Sequence, residues 1–167
     1  MTDDELQKLG NAIRASEDPE IIQAIDDGDA GKIASKSNEP NDPVYIIYRN
    51  NVPADEVRAA IDAQDIVDIT EGDRGACVDL LDIRRDTGFS GAQPRDRSAW
   101  ADIFSTAAGT NSREAIEGLW PHVATLAEEV FSLGTGTGEI GDPDTSSWQG
   151  TVTTENVYQA LLITEPS

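Results

Sequence analysis

Cysteine and histidine are almost absent from this 167-residue chain, which contains only Cys77 and His122. A single cysteine excludes an intramolecular disulfide, and one residue of each type excludes a Cys/His metal site within one chain. The chain also contains no apolar run of transmembrane length, and its acidic start lacks the basic and apolar regions of a signal peptide. We therefore expect a soluble protein without membrane association, made and used inside a cell or in a particle assembled there.

Basic residues are scarce as well. Twelve Lys and Arg residues stand against 32 Asp and Glu residues, which gives a formal charge of −20. This balance argues against sequence-independent binding along a phosphate backbone, because such binding needs clustered Lys and Arg. The acids are spread over nearly every segment, as expected for a saline habitat or for a surface kept soluble by self-repulsion. Hydrophobic residues make up 38%, so part of the chain should be solvated or should depend on neighbouring subunits.

The longest periodic segment extends from Asn111 to Gly134 and carries apolar residues at three- and four-residue spacing. Asn111 and Glu114 have the spacing of a capping box, and Gly134 is suited to a helix C-terminus. Pro121 predicts a kink, or a break into a short helix followed by a longer one. We predict a mainly α fold: a helical bundle around this long central helix, with a small β element and extended arms.

Further helices are predicted at residues 3–16, 19–28, 53–63, 73–84, 98–107 and 155–163, from apolar periodicity and capping residues. The segment from Gly31 to Pro43 contains Ser, Asn and Pro residues that are typical of a loop. The sequence thus predicts three consecutive segments. Residues 1–43 form an N-terminal helical pair and linker, residues 44–133 a helical core with a short strand, and residues 134–167 a Gly-rich arm and a short C-terminal helix.

One strand is predicted at Val44–Arg49, where the sequence VYIIYR is β-branched, aromatic and bounded by turn residues. A lone strand leaves its backbone groups unpaired, so it should pair with Ile66–Thr70 or with a neighbouring subunit. Residues 134–150 are rich in Gly, Thr, Ser, Asp and Pro and are predicted to form an extended or mobile arm.

Several motifs invite a chemical interpretation. Gly134–Gly138 reads GTGTG, like a phosphate cradle, but it follows a predicted helix and has no base nearby, so a helix stop leading into the arm is favoured. Acid clusters at residues 26–29 and 142–144 suggest calcium but lack the ligand spacing of an EF-hand. His122 is interpreted as a surface or subunit-contact residue, and Cys77 as a small buried hydrophobe rather than a nucleophile. We predict no catalytic residue, no metal site and no organic cofactor.

The order of segments resembles an uncharacterised family of tailed-bacteriophage virion proteins encoded among head and neck genes. The likeness covers roughly residues 44–162 and is carried by GDRGACVDLLDIRRDTG, by the DIF, SR and AEEVFSLGTGTG elements that follow, and by WQGTVTTENVYQALL. Two features depart from the family pattern. Pro121-His122 stands where relatives have a basic helical pair, and the GTGTG arm is longer and more acidic.

The resemblance implies a structural role, such as a head-to-tail connector (adaptor) that forms a ring of about a dozen copies between portal and tail or stopper proteins. DNA would pass through this ring without specific binding. Two alternatives stay open at this stage: a capsid decoration protein and a small acidic enzyme of unknown class. For the ring, the sequence suggests that the strand edge and the arm reach neighbouring subunits, and that arginines meet acids across the joint. The candidate subunit-contact residues are Tyr45, Ile47, Arg95, Arg97, Trp148 and Val152.

Overall fold

The structure is a computed structural model that describes residues 1–163 and is mainly α-helical, with a small two-stranded antiparallel sheet. This confirms the predicted fold class at the level of its secondary structure. None of the described helices combines the length and the apolar composition needed to cross a membrane. The described elements are α1 (Asp3–Arg14), α2 (Pro19–Asp26), α3 (Ala30–Ser37), β1 (Ile46–Tyr48), α4 (Ala54–Ala60), α5 (Ala63–Asp68), α6 (Glu71–Ile83), α7 (Pro94–Ile103), a 3-10 turn (Ala107–Gly109), α8 (Thr110–Glu117), β2 (Pro121–Val123), α9 (Leu126–Val130) and α10 (Thr154–Leu162).

The chain divides into two compact units. Unit 1 contains Met1–Tyr45, Val123–Leu133 and residues 146–163, and unit 2 contains Ile46–His122 and Gly134–Thr145. The first boundary lies two residues beyond the predicted one at 43/44. The later predicted segments are each divided between the units, because α9 and the residues after 145 pack with the N-terminal helices. The last four residues of the predicted third segment lie outside the described residues.

Unit 1 is a small helical core built from α1, α2, α3, α9 and α10. Helix α1 contributes Leu6, Leu9 and Ile13, which share one face because they recur at three- and four-residue spacing. Opposite them, α10 contributes Val157 and Ala160. Each large aliphatic side chain buried in this way contributes about 1.5–3 kcal/mol relative to its exposed state.

Capping residues determine where the helices of unit 1 begin. Thr2 and Glu5 form a capping box at α1, in which the Thr2 amide donates to the Glu5 carboxylate at 2.7 Å, and Asp18 caps α2. Both helices were predicted. The predicted loop at residues 31–43 is wrong in its first half, since α3 occupies Ala30–Ser37. Asp29 caps that helix by accepting from the Lys32 amide at 2.9 Å.

Unit 2 packs α4 to α8 around an aromatic cluster. Phe89 meets the edge of Trp100 at a centroid distance of 5.3 Å, and Trp100 stacks on Phe104 at 6.3 Å. The predicted boundaries of two helices shift here. Helix α6 is capped by Thr70 rather than Asp73, and α7 begins at Pro94 rather than Ser98. Pro94 occupies the first turn, where its missing amide hydrogen costs no helical hydrogen bond.

The long central helix predicted from Asn111 to Gly134 is wrong. Helix α8 ends at Glu117 with Gly118 as its C-cap, and β2 follows directly at Pro121–Val123. Pro121 cannot continue the helical hydrogen-bond ladder, and a second capping box, Thr125 with Glu128, begins the short helix α9. The break at Pro121 was predicted as one outcome, but the strand was not, and the second helix is the shorter one.

The predicted strand partner is also wrong. Residues 63–68 form α5, whose first turn is capped by Asp62, and the partner of β1 is β2. On the other edge of β1, the Ile46 amide donates to the carbonyl oxygen of Gly138 at 2.7 Å. The Tyr48 amide donates to the backbone carbonyl oxygen of Asp144 at 2.8 Å. Both edges of β1 are therefore covered by the chain itself, and the free edge expected from the sequence does not occur.

The Gly-rich segment is folded onto its own chain rather than extended as an arm. Residues 134–145 belong to unit 2, while Trp148 and Val152 pack in the core of unit 1. Backbone hydrogen bonds hold the segment at several points, including one from the Ser147 amide to the carbonyl oxygen of Phe131 at 2.9 Å. The polar composition indicated solvated chain, but the side chains of this segment bond to its own backbone, as described below.

Gly10 provides a test of helix packing in unit 1. A Cβ atom at Gly10 would collide with the carbonyl group of Ala160 in α10, whereas a Cβ at Gly75 in α6 would meet nothing within 4 Å. We expect Gly10→Ala to lower the free energy of unfolding by about 1–3 kcal/mol because the helices must separate. Gly75→Ala should raise it by roughly 0.5–1 kcal/mol through helix propensity. Urea denaturation followed by circular dichroism measures both, and equal stabilisation by the two changes would contradict the close packing of α1 on α10.

Candidate functional site

The Gly-rich loop of unit 2, residues 134–145, folds around the carboxylate of Asp144, which is fully buried. Oδ1 of Asp144 accepts from the amides of Thr135 at 2.7 Å, Gly136 at 3.3 Å and Thr145 at 2.7 Å, and from the Thr135 hydroxyl at 2.8 Å. Oδ2 accepts from the Gly134 amide at 3.1 Å. Successive amides that converge on one point form an anion-binding nest.

This nest explains why the GTGTG sequence looks like a phosphate cradle. Its amides do converge on an anion, but the anion is the carboxylate of Asp144 from the same chain. The glycines are required by geometry: Gly134 has a φ of +65°, and a Cβ at Gly136 would lie 2.5 Å from the carbonyl oxygen of Pro143. The segment is therefore a self-contained loop, with its anion site occupied from within.

The acid clusters that suggested calcium also have partners in the chain. Asp29 caps α3, Asp27 accepts from the side-chain amide of Gln23 at 3.0 Å, and Asp142 accepts from the Thr137 amide at 3.0 Å. Within residues 1–163, no group of three or more His, Cys, Asp or Glu side chains is arranged to hold a metal ion. These carboxylates accept hydrogen bonds at helix ends and turns.

A cleft of about 450 Å³ opens on one side of unit 2. Arg97 lies over the ring of Tyr48, with 4.4 Å between its guanidinium carbon and the ring centroid, and it also donates to the carbonyl oxygen of Gly91. Trp120 and the exposed Ile140 line the same cleft. These side chains offer an aromatic and apolar contact surface with one positive group.

The residue that follows β1, Arg49, forms an ion pair with Glu56 of α4. Arg49 binds Glu56 with two nitrogen–oxygen contacts of 2.6 and 2.8 Å, and its backbone amide donates to the Trp120 carbonyl oxygen at 2.7 Å. The hydrogen bond from Arg49 lowers the pKa of Glu56 below its usual value, and the same bond raises the pKa of Arg49. The pair joins the end of β1 to α4.

A second concave surface, which we call the arginine groove, lies between the end of α6 and the start of α7 in unit 2. It consists of two cavities of about 420 and 230 Å³ that share Arg84, Thr87, Arg95 and Asp96. Asp96 is buried and accepts from Arg84 at 2.8 Å and from the Ser90 amide at 2.9 Å. The groove has an apolar wall and a polar wall; the former is lined by Leu80, Ile83 and Ala99, the latter by Asn50 and Gln93.

The arginines predicted to contact a neighbouring subunit lie in different places. Arg95 is exposed and lines the arginine groove, where its guanidinium group can meet an external carboxylate. Arg97 is half-buried in the cleft and contacts Tyr48 and Gly91. The two candidate arginines thus belong to two different surfaces, and the exposed one lies in the groove.

Two predicted contact residues come from β1 and the residue before it. Ile47 is 0% exposed inside the single chain, so its side chain is unavailable to a neighbour in this conformation. Tyr45 is half-buried, and its carbonyl oxygen accepts from the Ala124 amide at 2.8 Å. Both residues belong to the packing of the chain itself.

Trp148 and Val152, predicted as anchors of a crossing arm, are internal anchors of unit 1. Trp148 is half-buried and lies 5.3 Å from Phe131 between ring centroids. Val152 is 2% exposed, and the side chain of Asn38 binds both its amide and its carbonyl oxygen at 2.8 Å. Both side chains pack against apolar groups of the same chain.

The two residues considered for catalysis have quite different environments. Cys77 is 2% exposed in the core of unit 2, and burial raises the pKa of its thiol, an effect that Arg58 partly opposes. A protonated, enclosed thiol is a poor nucleophile. His122 is half-buried in β2. The Cys77 side chain therefore fits its interpretation as a small core residue.

Sequence reasoning missed the buried carboxylates that hold the loops. Asp65 accepts from the Ser112 amide at 2.6 Å, and Asp96 and Asp144 have the contacts described above. In a chain with 32 acids, no single Asp stands out by composition. The available signal was that Asp144 lies close in sequence to the GTGTG segment, whose backbone amides need hydrogen-bond acceptors.

Comparison of the chain with protein-family models, with curated proteins and with solved structures gave no match.

Asp144 offers a direct test of the loop. Asp144→Asn keeps the side-chain size but removes the charge and places an amide group against backbone donors. We expect a loss of about 2–4 kcal/mol in the free energy of unfolding and faster hydrogen exchange at residues 134–136. Asp142→Asn in the same loop removes an exposed acceptor with one backbone partner and should cost less than about 1 kcal/mol. Equal effects of the two changes would contradict the nest.

The Arg49–Glu56 pair predicts a pH dependence. Glu56→Gln should lower the free energy of unfolding at neutral pH by roughly 1 kcal/mol, since Glu56 is partly exposed. The Glu56 pKa is lowered in the folded state, so the stabilisation is present above its unfolded pKa, near 4.5, and is lost as pH falls through the folded pKa. Urea titrations of both proteins from neutral to acidic pH should converge, and a constant difference would contradict this assignment.

Proposed function

We propose that this chain is a structural protein of a tailed-phage virion, namely a subunit of the head-to-tail connector (adaptor) ring. The proposal starts from the resemblance of residues 44–162 to head and neck proteins of such particles. Portal protein on one side and tail or stopper proteins on the other are its expected partners. The resemblance implies about a dozen copies, arranged in a ring with closed cyclic symmetry.

The observation that carries the proposal is the use made of the buried acids. Four acidic side chains are buried in the described chain, and each accepts a hydrogen bond from a backbone amide of the chain itself. Such carboxylates fix loops instead of presenting acid or base groups to a substrate. This use favours a structural protein over an enzyme. The four buried acids are Asp65, Asp96, Glu128 and Asp144.

The charge of the chain supports the same role. A ring of subunits that each carry −20 has a wall that repels DNA phosphates, so the duplex passes without specific binding. This gives the acidic surface a function in addition to solubility. A decoration protein on the capsid surface would share the acidity and is the main alternative, and a small acidic enzyme is the second.

Electron cryo-microscopy of the intact particle tests the proposal. We expect the chain at the head–tail joint, in a closed ring of about a dozen copies. Copies on the order of hundreds, spread over the shell, would replace the connector by the decoration protein. Absence of the chain from the virion would end both structural proposals and favour the enzyme, for which turnover assays on the isolated chain would then be the next measurement.

A further inference from the structure

Two surfaces of the chain have complementary charge and expose apolar side chains. One is the arginine groove of unit 2, and the other is the outer face of α10 in unit 1. We propose that α10 of one copy docks in the arginine groove of a second copy. The inference rests on the proposed function and supplies the contact that joins neighbouring subunits of the ring.

The groove has the features of a site for an acidic, amphipathic segment. Ile83 is 74% exposed at the rim of its apolar wall, which leaves a large apolar side chain in contact with water. Arg84 is held in place by Asp96, whereas the guanidinium group of Arg95 is exposed and makes no hydrogen bond or ion pair within the described residues. An occupant that brings an apolar group and a carboxylate would cover Ile83 and pair with Arg95.

The outer face of α10 presents both an apolar group and a carboxylate. Tyr158 and Leu162 are 51% and 79% exposed, and they lie one helical turn apart. No other two large exposed apolar side chains in residues 1–163 stand three or four positions apart. Glu155 lies three residues before Tyr158 on the same face, so the helix carries a carboxylate followed by two apolar side chains.

Helix α10 is held firmly, so its outer face is ordered before docking. Its inner side packs closely on Gly10 of α1, and its amino end has the Thr153–Asn156 capping box. At the other end, Arg14 donates to the carbonyl oxygens of Leu161 and Ile163, both at 3.0 Å. We call this outer face, formed by Glu155, Tyr158 and Leu162, the ridge. A rigid ridge loses little conformational entropy on binding, which favours association.

A second copy is the occupant that charge complementarity supports. The chain carries 20 more acids than bases, and the arginine groove is where an exposed Arg lies beside an exposed apolar wall. Ridge and groove are different surfaces, so the contact is heterologous: each copy offers its ridge to one neighbour and its groove to the other. Heterologous contacts of this kind generate closed rings when the rotation between copies closes.

Cross-linking tests the contact directly. One preparation carries Leu162→Cys and an affinity tag, and the other carries Ala99→Cys in the groove. Mild oxidation of the mixture at high salt, which screens the repulsion between copies, should give a disulfide-linked dimer that contains one chain of each kind, because Cys77 is buried and slow to react. Gln64→Cys, exposed on α5 away from the groove, replaces Ala99→Cys in the control and should give no such dimer. Equal yields from Ala99→Cys and Gln64→Cys, or no product from either, would overturn the proposal.

Charge reversal gives a second measurement, made by sedimentation at high chain concentration. Arg95→Glu should weaken self-association about tenfold, and adding Glu155→Arg should restore it. Arg58→Glu makes the same change in net charge on an exposed residue of α4 outside the groove, so it corrects for general repulsion between copies. Equal weakening by Arg95→Glu and Arg58→Glu, or no restoration by Glu155→Arg, would overturn the proposal.

The two proposals fail in different ways. A closed ring at the head–tail joint that shows no contact between α10 and the groove would retain the connector and exclude this interface. The specific cross-link in a chain that is absent from the joint would retain the interface and exclude the connector.

Discussion

Buried carboxylates bound to backbone amides hold the non-helical parts of this protein in place. The chain has 20 more acids than bases, so an acid that enters the interior seldom finds a basic partner. Backbone amides are the remaining donors, and charge-assisted hydrogen bonds to them offset the cost of removing a carboxylate from water. Asp144 accepts four such bonds in the Gly-rich loop, while Asp65 accepts one from the first turn of α8 and Glu128 accepts one from the N-cap of α9. An acidic composition thereby becomes a means of fixing loops, and the helices provide the cores on which those loops are built.

Local signals in the sequence were sufficient to predict a helix where its own capping residues and apolar spacing determine it. The helices α1, α2 and α10 were predicted because Thr2, Asp18 and Thr153 cap them and apolar residues follow at helical spacing. The failures occurred where tertiary contacts decide. Residues 121–123 continue an apolar helical pattern, yet they form a strand because Pro121 breaks the ladder and β1 provides a partner. Residues 30–37 have the composition of a loop, yet they form α3 because Ala30, Ile33 and Ala34 reach the core.

For the candidate contact residues, the sequence indicated which side chains need partners but not where those partners lie. Apolar character identified Ile47, Trp148 and Val152 as residues that need partners, but it could not show that the partners lie in the same chain. Charge was the reason for choosing Arg95, which is exposed in the structure, and its contact with a neighbouring subunit stays a prediction. The ridge on α10 was within reach of the sequence, since Tyr158 and Leu162 are one turn apart. What the sequence could not supply is which face of α10 packs on α1.

Electrostatics also indicates when copies of this chain would assemble as we propose. Two copies that carry −20 each repel one another at long range, and salt screens this repulsion over a Debye length of about 8–10 Å. The proposed contact between Arg95 and Glu155 would act at short range in a partly desolvated groove, where screening is weaker. Raising the salt concentration therefore removes more of the repulsion than of the attraction. We therefore expect free copies to stay apart at low salt, and copies concentrated on a template or placed in a saline environment to come close enough for the proposed contact to form.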